Sequence, residues 1–305
     1  MRIIFMGTPD FAVASLASLL KNGFNVVGVI TAPDKPAGRG QKLNESAVKK
    51  FAIEQNLNIL QPEKLKNPEF LDALKALKAD LQVVVAFRML PEVVWNMPTK
   101  GTINLHGSLL PQYRGAAPIN WAIINGEKES GVTTFFLKQE IDTGDVLFSQ
   151  KVEITEDMTA GDLHDALMVM GAQLLVKTVK QIEEGSYQEI PQDNFESVGL
   201  KHAPKLFKEN CKISWHEDNQ QVFNLIRGLS PYPTAYTEFM GKGLKIYTAI
   251  KEETEPGISA GGFLTDGKTF LSFATKNGLI SLKEVQQEGK KRMKIDEFLR
   301  GVRLS

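Results

Sequence analysis

Residues 103–147 have the sequence INLHGSLLPQYRGAAPINWAIINGEKESGVTTFFLKQEIDTGDVL. The stretch contains most of two apolar runs, residues 102–105 and 133–137, which have the length and the β-branched and aromatic content of buried strands. A tryptophan and two turns, with Pro111 and Pro118, lie between the runs. The sequence therefore predicts a strand that ends in a polar loop, followed later by a second strand.

Short Val- and Ile-rich runs alternate with segments of helical periodicity through residues 1–185. Strands are predicted at residues 2–6, 26–31, 83–86, 102–105 and 133–137. Helices are predicted at residues 11–22, 46–56, 68–78 and 160–184. This alternation is typical of an α/β domain with a doubly wound, Rossmann-like parallel sheet. Ligands of such sheets bind beyond the carboxyl ends of the strands, where Gly7, Phe87, Asn104 and His106 are expected.

The pattern changes near residue 190. The segment 193–208 is polar and lacks periodicity, and we predict a linker over residues 191–208. After it, a helix is predicted at 220–229, ended by Ser-Pro-Tyr-Pro, and a closing helix at 294–301. Short strands with glycine-containing turns are predicted at residues 235–239, 244–250, 262–264, 270–274 and 279–285. This number of short strands suggests a small β-barrel.

The composition is that of an ordinary globular protein, with 305 residues, 42% hydrophobic and 24% charged, and its length suggests about two domains. A run of about 18 apolar residues, as a membrane span requires, does not occur. The N-terminal residues lack a signal-peptide pattern. The single Cys211 excludes an intramolecular disulfide, and the four histidines lack metal-ligand spacing. We expect a cytoplasmic protein without a metal site.

The formal net charge of zero conceals an asymmetry along the chain. Residues 1–200 carry 19 Lys and Arg against 24 Asp and Glu, a net charge of −5. Residues 201–305 carry 17 against 12, a net charge of +5. A polyanionic partner would prefer the second part, although a difference of this size also arises by chance on protein surfaces.

Three polar residues of the first stretch suggest chemistry. Asn104 and His106 are two residues apart on a predicted strand and so project to the same face. Asp142 follows in an Ile-Asp-Thr-Gly-Asp turn, where Asp145 is a rival carboxylate. An amide that donates to an oxyanion, an imidazole that moves a proton and a carboxylate are the groups that acyl transfer to an amine requires. A lone histidine at a strand end is more often structural, so this pattern by itself is weak evidence for catalysis.

Several motifs resemble those of formyltransferases that use 10-formyltetrahydrofolate. These are Asn-x-His-x-Ser-Leu-Leu-Pro, Arg-Gly-Ala-Ala-Pro-Ile and Asp-Thr-Gly-Asp in residues 103–147. RIIFMGTPDFA near the start, PDKPAGRGQKL at residues 33–43, and KISW and IRGLSPYPTAY within residues 212–236 resemble the branch that formylates methionyl-tRNA. The resemblance covers nearly the whole chain.

The resemblance implies roles for particular residues. Asn104, His106 and Asp142 would be catalytic, with Asp142 either orienting the imidazole or accepting the proton of the attacking amine. Two loops would contact folate. This chain departs from the family's usual first loop, Ala-Tyr-Gly-x-x-Leu-Pro, because it is one residue shorter and has arginine in place of glycine. The implied folate contacts are Phe87, Arg88, Met89, Leu90, Ser108, Leu109, Leu110 and Pro111.

The resemblance also implies a domain plan and a partner. Residues 1–190 would be the catalytic domain, 191–208 a linker, and 209–305 an OB-like tRNA-binding domain. The co-substrate would be 10-formyltetrahydrofolate, and the acceptor initiator methionyl-tRNA. No protein partner is implied. The implied tRNA contacts are Lys35, Arg39, Lys42, Lys205, Lys208, Lys290, Lys291, Arg292 and Lys294.

Two other functions remain open at this stage. A formyltransferase acting on a small amine, such as an amino-sugar nucleotide or glycinamide ribonucleotide, would need neither the basic loop at residues 33–43 nor the positive charge of residues 201–305. A non-catalytic RNA-binding protein with the same two domains would not need Asn104, His106 and Asp142. The Gly-Thr-Pro-Asp-Phe turn after the first strand does not match the Gly-x-Gly-x-x-Gly pattern of dinucleotide-binding proteins.

Overall fold

The computed structural model describes residues 1–37, 42–195 and 199–302. The chain divides into two compact units. The first unit consists of Met1–Arg114, Gly131–Val152 and His164–Lys201. The second consists of Gly115–Ser130, Glu153–Leu163 and His202–Ser305. The second unit therefore includes two segments from inside residues 1–190. The prediction from the sequence assigned all of residues 1–190 to one domain.

The first unit is built on a seven-stranded sheet with helices around it. Its strands are β1 (Arg2–Gly7), β2 (Asn25–Ile30), β3 (Lys35–Ala37), β4 (Lys42–Asn44), β5 (Ile59–Leu60), β6 (Leu81–Val85), β7 (Thr102–His106), β8 (Arg114–Gly115), β9 (Glu129–Phe136) and β10 (Val146–Glu153), of which β8, β9 and β10 each extend by one or two residues into the second unit. Its helices are α1 (Asp10–Lys21), α2 (Ala47–Glu54), α3 (Pro68–Ala76), α4 (Glu92–Trp95) and most of α6 (Ala160–Glu184).

The sheet has the strand order β10-β9-β7-β6-β1-β2-β5. Strands β5, β2, β1, β6 and β7 run parallel, and β9 pairs antiparallel with β7. The central strands are buried along nearly their whole length, which explains their continuous Val and Ile content. One side of the core is filled by apolar residues of these strands and of α3, among them Ile4, Met6, Val84, Phe70 and Leu74.

The register brings three strand ends to one edge of the sheet. Gly7 of β1 pairs with Val85 of β6, and Val85 pairs with Leu105 of β7. The segments that leave β1, β6 and β7 therefore begin side by side at the carboxyl edge. A side chain on Gly7 could not be accommodated there, because a Cβ atom would lie 2.5 Å from the Cβ of Ala12.

The second unit contains an open, curled antiparallel sheet. Its core includes the stacked rings of Trp215 and Phe273, whose centroids are 4.5 Å apart. Its helices are α5 (Pro118–Ile124), α7 (Asn219–Gly228) and α8 (Ile295–Arg300). Its strands are β11 (His202–Ala203), β12 (Ala235–Phe239), β13 (Lys242–Glu252), β14 (Phe263–Thr265), β15 (Leu271–Ala274), β16 (Leu279–Gln287) and β17 (Met293–Lys294). The strand order of the sheet is β12-β13-β16-β15-β14, and β17 pairs with β16.

Hydrogen bonds explain why two distant segments belong to the second unit. The Asn120 side chain in α5 donates to the carbonyl of Gly228 in α7 at 2.8 Å. The buried guanidinium of Arg227 donates to the carbonyls of Thr155 at 3.3 Å and Met158 at 3.0 Å. Burial lowers the pKa of Arg227, and the nearby carboxylates of residues 156 and 157 oppose that effect.

The predicted fold class is confirmed: the chain forms a Rossmann-like α/β unit and a small, predominantly β unit, whose sheet lies in the C-terminal part of the sequence. Every helix and strand predicted from the sequence is present, with ends that differ by a few residues. Within residues 1–37, 42–195 and 199–302, no helix combines the length and the apolar character needed to cross a membrane.

Candidate active site

Asn104 and His106 lie at the carboxyl end of β7. They are two residues apart in the strand and therefore face the same side of the sheet. His106 is 7% exposed, and its Nε2 lies 2.9 Å from the carbonyl oxygen of Tyr113. Because a carbonyl oxygen only accepts, Nε2 carries a hydrogen in this contact. The Nδ1 atom is therefore the ring nitrogen left to exchange a proton.

The loop between β9 and β10 brings a carboxylate to that nitrogen. Asp142 Oδ2 lies 3.8 Å from His106 Nδ1, and the Asp142 side chain is 12% exposed. The Asp142 backbone has a φ of 54°, a left-handed conformation that is uncommon for a residue other than glycine. This distance is longer than a hydrogen bond.

Asp145, the rival carboxylate, has another partner. Its side chain forms an ion pair with Lys138, with Nζ 2.8 Å from each of the two carboxylate oxygens. Its backbone carbonyl accepts a hydrogen bond from the amide of Phe136 at 3.1 Å. Asp145 thus closes the loop at its base, whereas Asp142 faces the imidazole.

The first predicted folate loop leaves β6 at the same edge of the sheet. Ala86 has a positive φ of 47°, which turns the chain sharply as it leaves the strand. Phe87 is half-buried against the core and Leu90 is buried, while Met89 is 72% exposed. Arg88 donates to the carbonyls of Pro62 and of Glu63, the latter at 2.8 Å. The arginine therefore ties the shortened loop to the segment that precedes α3.

The second predicted folate loop follows β7 directly. Ser108 is fully buried, and its hydroxyl donates to the carbonyl of Gln112 at 2.7 Å. Leu110 packs in a small cluster with Phe135 and Val146, and Pro111 is also buried. Leu109 is the partly exposed residue of this loop. What Ser108, Leu110 and Pro111 can offer a ligand is therefore mainly backbone.

One buried residue at this site was not predicted. Gln192, which we assigned to the linker, is 4% exposed and donates from Nε2 to the carbonyl of Asp142 at 2.8 Å. It begins a short 3-10 helix (Gln192–Asn194) after α6. Its surroundings are polar and aperiodic in sequence, so no hydrophobic pattern marked it.

Two of the predicted tRNA contacts of the first unit belong to β3 and β4, which pair antiparallel. Lys35 is exposed in β3. Lys42 begins β4, and only its backbone is described. Arg39 lies outside the described residues. The anion of this segment, Asp34, is paired with Lys49 and accepts from Gln61 Nε2 at 2.8 Å, which lowers its pKa. The partners of Asp34 are therefore Lys49 and Gln61, neither of which is a predicted tRNA contact.

The other predicted tRNA contacts all belong to the second unit. Lys205, Lys208, Lys290, Lys291 and Lys294 are exposed. Arg292 is partly engaged: it forms an ion pair with Glu284, and its guanidinium carbon lies 4.3 Å from the ring centroid of Tyr247. Lys205, Lys208 and Lys290 also lie near aromatic rings, with Nζ 5.6 to 5.9 Å from the ring centroids. What distinguishes Arg292 from them is its carboxylate partner, Glu284.

A metal centre has no evident ligands in the part of the chain that the structure describes. No group of three or more His, Cys, Asp or Glu side chains is arranged there to hold an ion.

Comparison with known families places the chain. The model of the formyl transferase family matches residues 1–179, and that of the formyl transferase C-terminal domain matches residues 205–303. The chain belongs to the formyl transferase family. Members of this family use 10-formyltetrahydrofolate as the formyl donor. The resemblance noted from the sequence motifs is thereby confirmed.

Curated relatives from two bacteria extend the match to full length. The methionyl-tRNA formyltransferase of Bacteroides fragilis is 52% identical over 311 residues, which cover 100% of this chain and 96% of the relative. The methionyl-tRNA formyltransferase of Flavobacterium johnsoniae is 53% identical over 310 residues, which cover 100% and 97%.

Solved structures share the fold of this chain. WlaRD, a sugar 3N-formyl transferase crystallised in the presence of dTDP and 5-N-formyl-THF, has a TM-score of 0.69 at 22% identity and covers 95% of this chain and 99% of its own. HypX from Aquifex aeolicus in complex with tetrahydrofolic acid has a TM-score of 0.68 at 19% identity and covers 99% of this chain and 48% of its own. At these identities the likeness concerns the fold.

Proposed function

We propose that this chain transfers the formyl group of 10-formyltetrahydrofolate to the α-amino group of methionine on charged initiator tRNA. The observation that supports the proposal is the full-length similarity to methionyl-tRNA formyltransferases. It is accompanied by the 3.8 Å approach of Asp142 Oδ2 to His106 Nδ1, on the face of β7 that also carries Asn104. The folate co-substrate would bind along the loops that leave β6 and β7, with Phe87, Leu90 and Leu109 as apolar walls.

The reaction needs no covalent intermediate on the protein, because the formyl group on a folate nitrogen is already activated. The methionine amine attacks the formyl carbon, a C–N bond forms, and the carbonyl oxygen gains negative charge. The side-chain amide of Asn104 donates to that oxygen, and the imidazole of His106 stabilises the charge. The amine's proton passes to the His106–Asp142 pair, and the bond to the folate nitrogen breaks as that nitrogen takes a proton.

The site has features suited to this sequence of steps. His106 is buried, so a charge that develops beside it is little screened by water. Its Nε2 is held by the Tyr113 carbonyl, which limits rotation of the ring, while Nδ1 faces the carboxylate. Alignment and stabilisation of the oxyanion then supply most of the rate enhancement.

The acceptor is proposed from charge as well as similarity. Residues 201–305 carry a net charge of +5, and the predicted contacts Lys205, Lys208, Lys290 and Lys291 are exposed there. Lysines of this kind bind phosphates without reading sequence. In the first unit, Lys35 is exposed beside Asp34, whose carboxylate is held by Lys49.

The test compares acceptors. The purified chain is incubated with 10-formyltetrahydrofolate and, separately, charged initiator tRNA, charged elongator methionyl-tRNA, glycinamide ribonucleotide and an amino-sugar nucleotide. We expect transfer to initiator methionyl-tRNA to exceed transfer to the others by at least about 100-fold in kcat/KM, a discrimination of about 2.7 kcal/mol. Preference for a small amine would replace the proposed substrate, and binding of tRNA without any transfer would favour the non-catalytic alternative.

A further inference from the structure

The side chain of Gln192 forms hydrogen bonds with two backbone carbonyls of the loop that carries Asp142. Its side-chain nitrogen donates to the carbonyl oxygen of Asp142 at 2.8 Å and to that of Gly144 at 2.8 Å. Gln192 is 4% exposed, so these hydrogen bonds are shielded from water. Both hydrogens of the amide group are thereby used on the same turn.

Arg114 fixes the orientation of the Gln192 amide. Its Nε and Nη2 atoms donate to Gln192 Oε1 at 2.9 and 2.6 Å. A guanidinium group has only donors, so the oxygen of the amide must face Arg114 and the nitrogen must face the loop. The loop thus depends on a series of hydrogen bonds from Arg114, at the end of the segment that follows β7, through Gln192 to Asp142.

The loop has little freedom to compensate if these hydrogen bonds are broken. Asp142 is held at a φ of 54°, which a non-glycine residue adopts only at some cost. Gly144 lies directly against β9, where a Cβ atom would come 1.5 Å from the carbonyl oxygen of Phe136. The turn is therefore fixed on its β9 side by close packing and on its other side by Gln192.

We propose that Gln192 is a positioning residue for formyl transfer, which holds the Asp142 turn so that its carboxylate faces His106 Nδ1. This inference rests on the proposed function. Gln192 acts through Asp142 and has no contact with the reacting atoms in this role. A displacement of about 1 Å in such a group can cost about 100-fold in rate, so the effect is expected in kcat.

The test uses Gln192→Met, which keeps the length of the side chain and removes its hydrogen bonds. The matched control is Gln82→Met, since Gln82 in β6 is 1% exposed and accepts from Thr102 Oγ1 at 3.1 Å, away from the Asp142 loop. We expect Gln192→Met to lower kcat by about tenfold to 100-fold with both KM values within about twofold, and Gln82→Met to leave kcat nearly unchanged.

Coupling to Asp142 distinguishes positioning from a general structural role. In an Asp142→Asn background, Gln192→Met should lower kcat by less than about twofold further, because the group it positions is already disabled. A full additional decrease in that background would overturn the proposal, as would wild-type kcat in Gln192→Met or an equal decrease in Gln82→Met. If Gln192→Met does not fold, Gln192→Glu, which keeps the acceptor for Arg114 but cannot donate to the two carbonyls, takes its place in the same cycle.

The wild-type chain is measured beside every variant. Absence of transfer by the wild type to any acceptor would count against the proposed function. Formyl transfer by the wild type with an equal kcat in Gln192→Met would count against the positioning role alone.

Discussion

The Oδ2 atom of Asp142 lies 3.8 Å from the Nδ1 atom of His106. The other ring nitrogen, Nε2, is taken by the carbonyl of Tyr113 at 2.9 Å. A carboxylate and a backbone carbonyl thus flank the imidazole at its two nitrogens. A proton gained at Nδ1 would be stabilised by Asp142, and the backbone contact keeps the ring from turning away from it.

This relationship predicts different outcomes for the two carboxylates of the loop. Asp142→Asn should lower kcat by about 100-fold or more, because an amide cannot stabilise a proton on the imidazole or accept one. Asp145→Asn is the matched control, since its carboxylate is paired with Lys138 and should matter less. Steady-state kinetics of both variants measure these decreases in kcat. A large decrease for Asp145→Asn with a small decrease for Asp142→Asn would show that the role belongs to Asp145.

The two residues of β7 should be needed for the chemical step. We expect Asn104→Ala and His106→Ala each to lower kcat by about 100-fold or more, the usual contribution of one oxyanion donor or one acid–base group. Folate binding, measured by calorimetry, should change little, because the loops after β6 and β7 are proposed to hold it. Near-normal turnover in either variant would remove that residue from the site.

Arg227 should stabilise the second unit. Arg227→Met removes the donors to the carbonyls of Thr155 and Met158 and leaves these groups without that partner. We expect a decrease of about 2–4 kcal/mol in the free energy of unfolding, measured by denaturant titration. The control is Arg300→Met, whose side chain is 65% exposed and pairs with Asp296 at 3.1 Å; it should change stability by less than about 0.5 kcal/mol. Equal effects of the two substitutions would contradict this role.

The lysines of the second unit should contribute to tRNA affinity without selecting a sequence. Replacing Lys205 and Lys208 together by Ala should weaken binding of initiator and elongator tRNA alike. It should also make the salt dependence of binding shallower by about one unit for each phosphate that the two lysines neutralise. Lys180→Ala on α6, where the side chain is 67% exposed, is the control. An unchanged salt slope in the double variant would exclude these two lysines as tRNA ligands. The predicted tRNA contact at Arg39 remains a sequence-based expectation.

The sequence was informative where hydrophobic pattern and turn chemistry agreed. Buried strands such as β1 and β6 are continuous apolar runs, and α2 begins after Ser46, whose hydroxyl accepts from the amide of Lys49 at 3.0 Å. Strand β10 was missed because its second half, from Ser149, is largely exposed and polar and lacks strict alternation.

The rest of the arrangement depends on contacts between residues far apart in sequence. The hydrogen bonds of Gln192 reach a loop about 50 positions earlier in the chain, and a polar, aperiodic segment does not reveal them. The membership of Gly115–Ser130 in the second unit likewise follows from bonds such as that of Asn120 to Gly228. Sequence motifs indicated which residues to expect at the candidate site, and the structure added how they are held.

In the proposed reaction, the formyl group passes directly from folate to the amine of methionine on tRNA. The most direct measurement is a single-turnover reaction with excess protein, using 10-formyltetrahydrofolate labelled with ¹³C in the formyl group and charged initiator tRNA, followed by mass spectrometry of the released amino acid and of the protein. We predict that the label appears on the α-amino nitrogen of methionine at the rate of folate consumption, with no labelled protein. Label on the protein before it reaches methionine, or folate consumption without formylmethionine, would contradict the account.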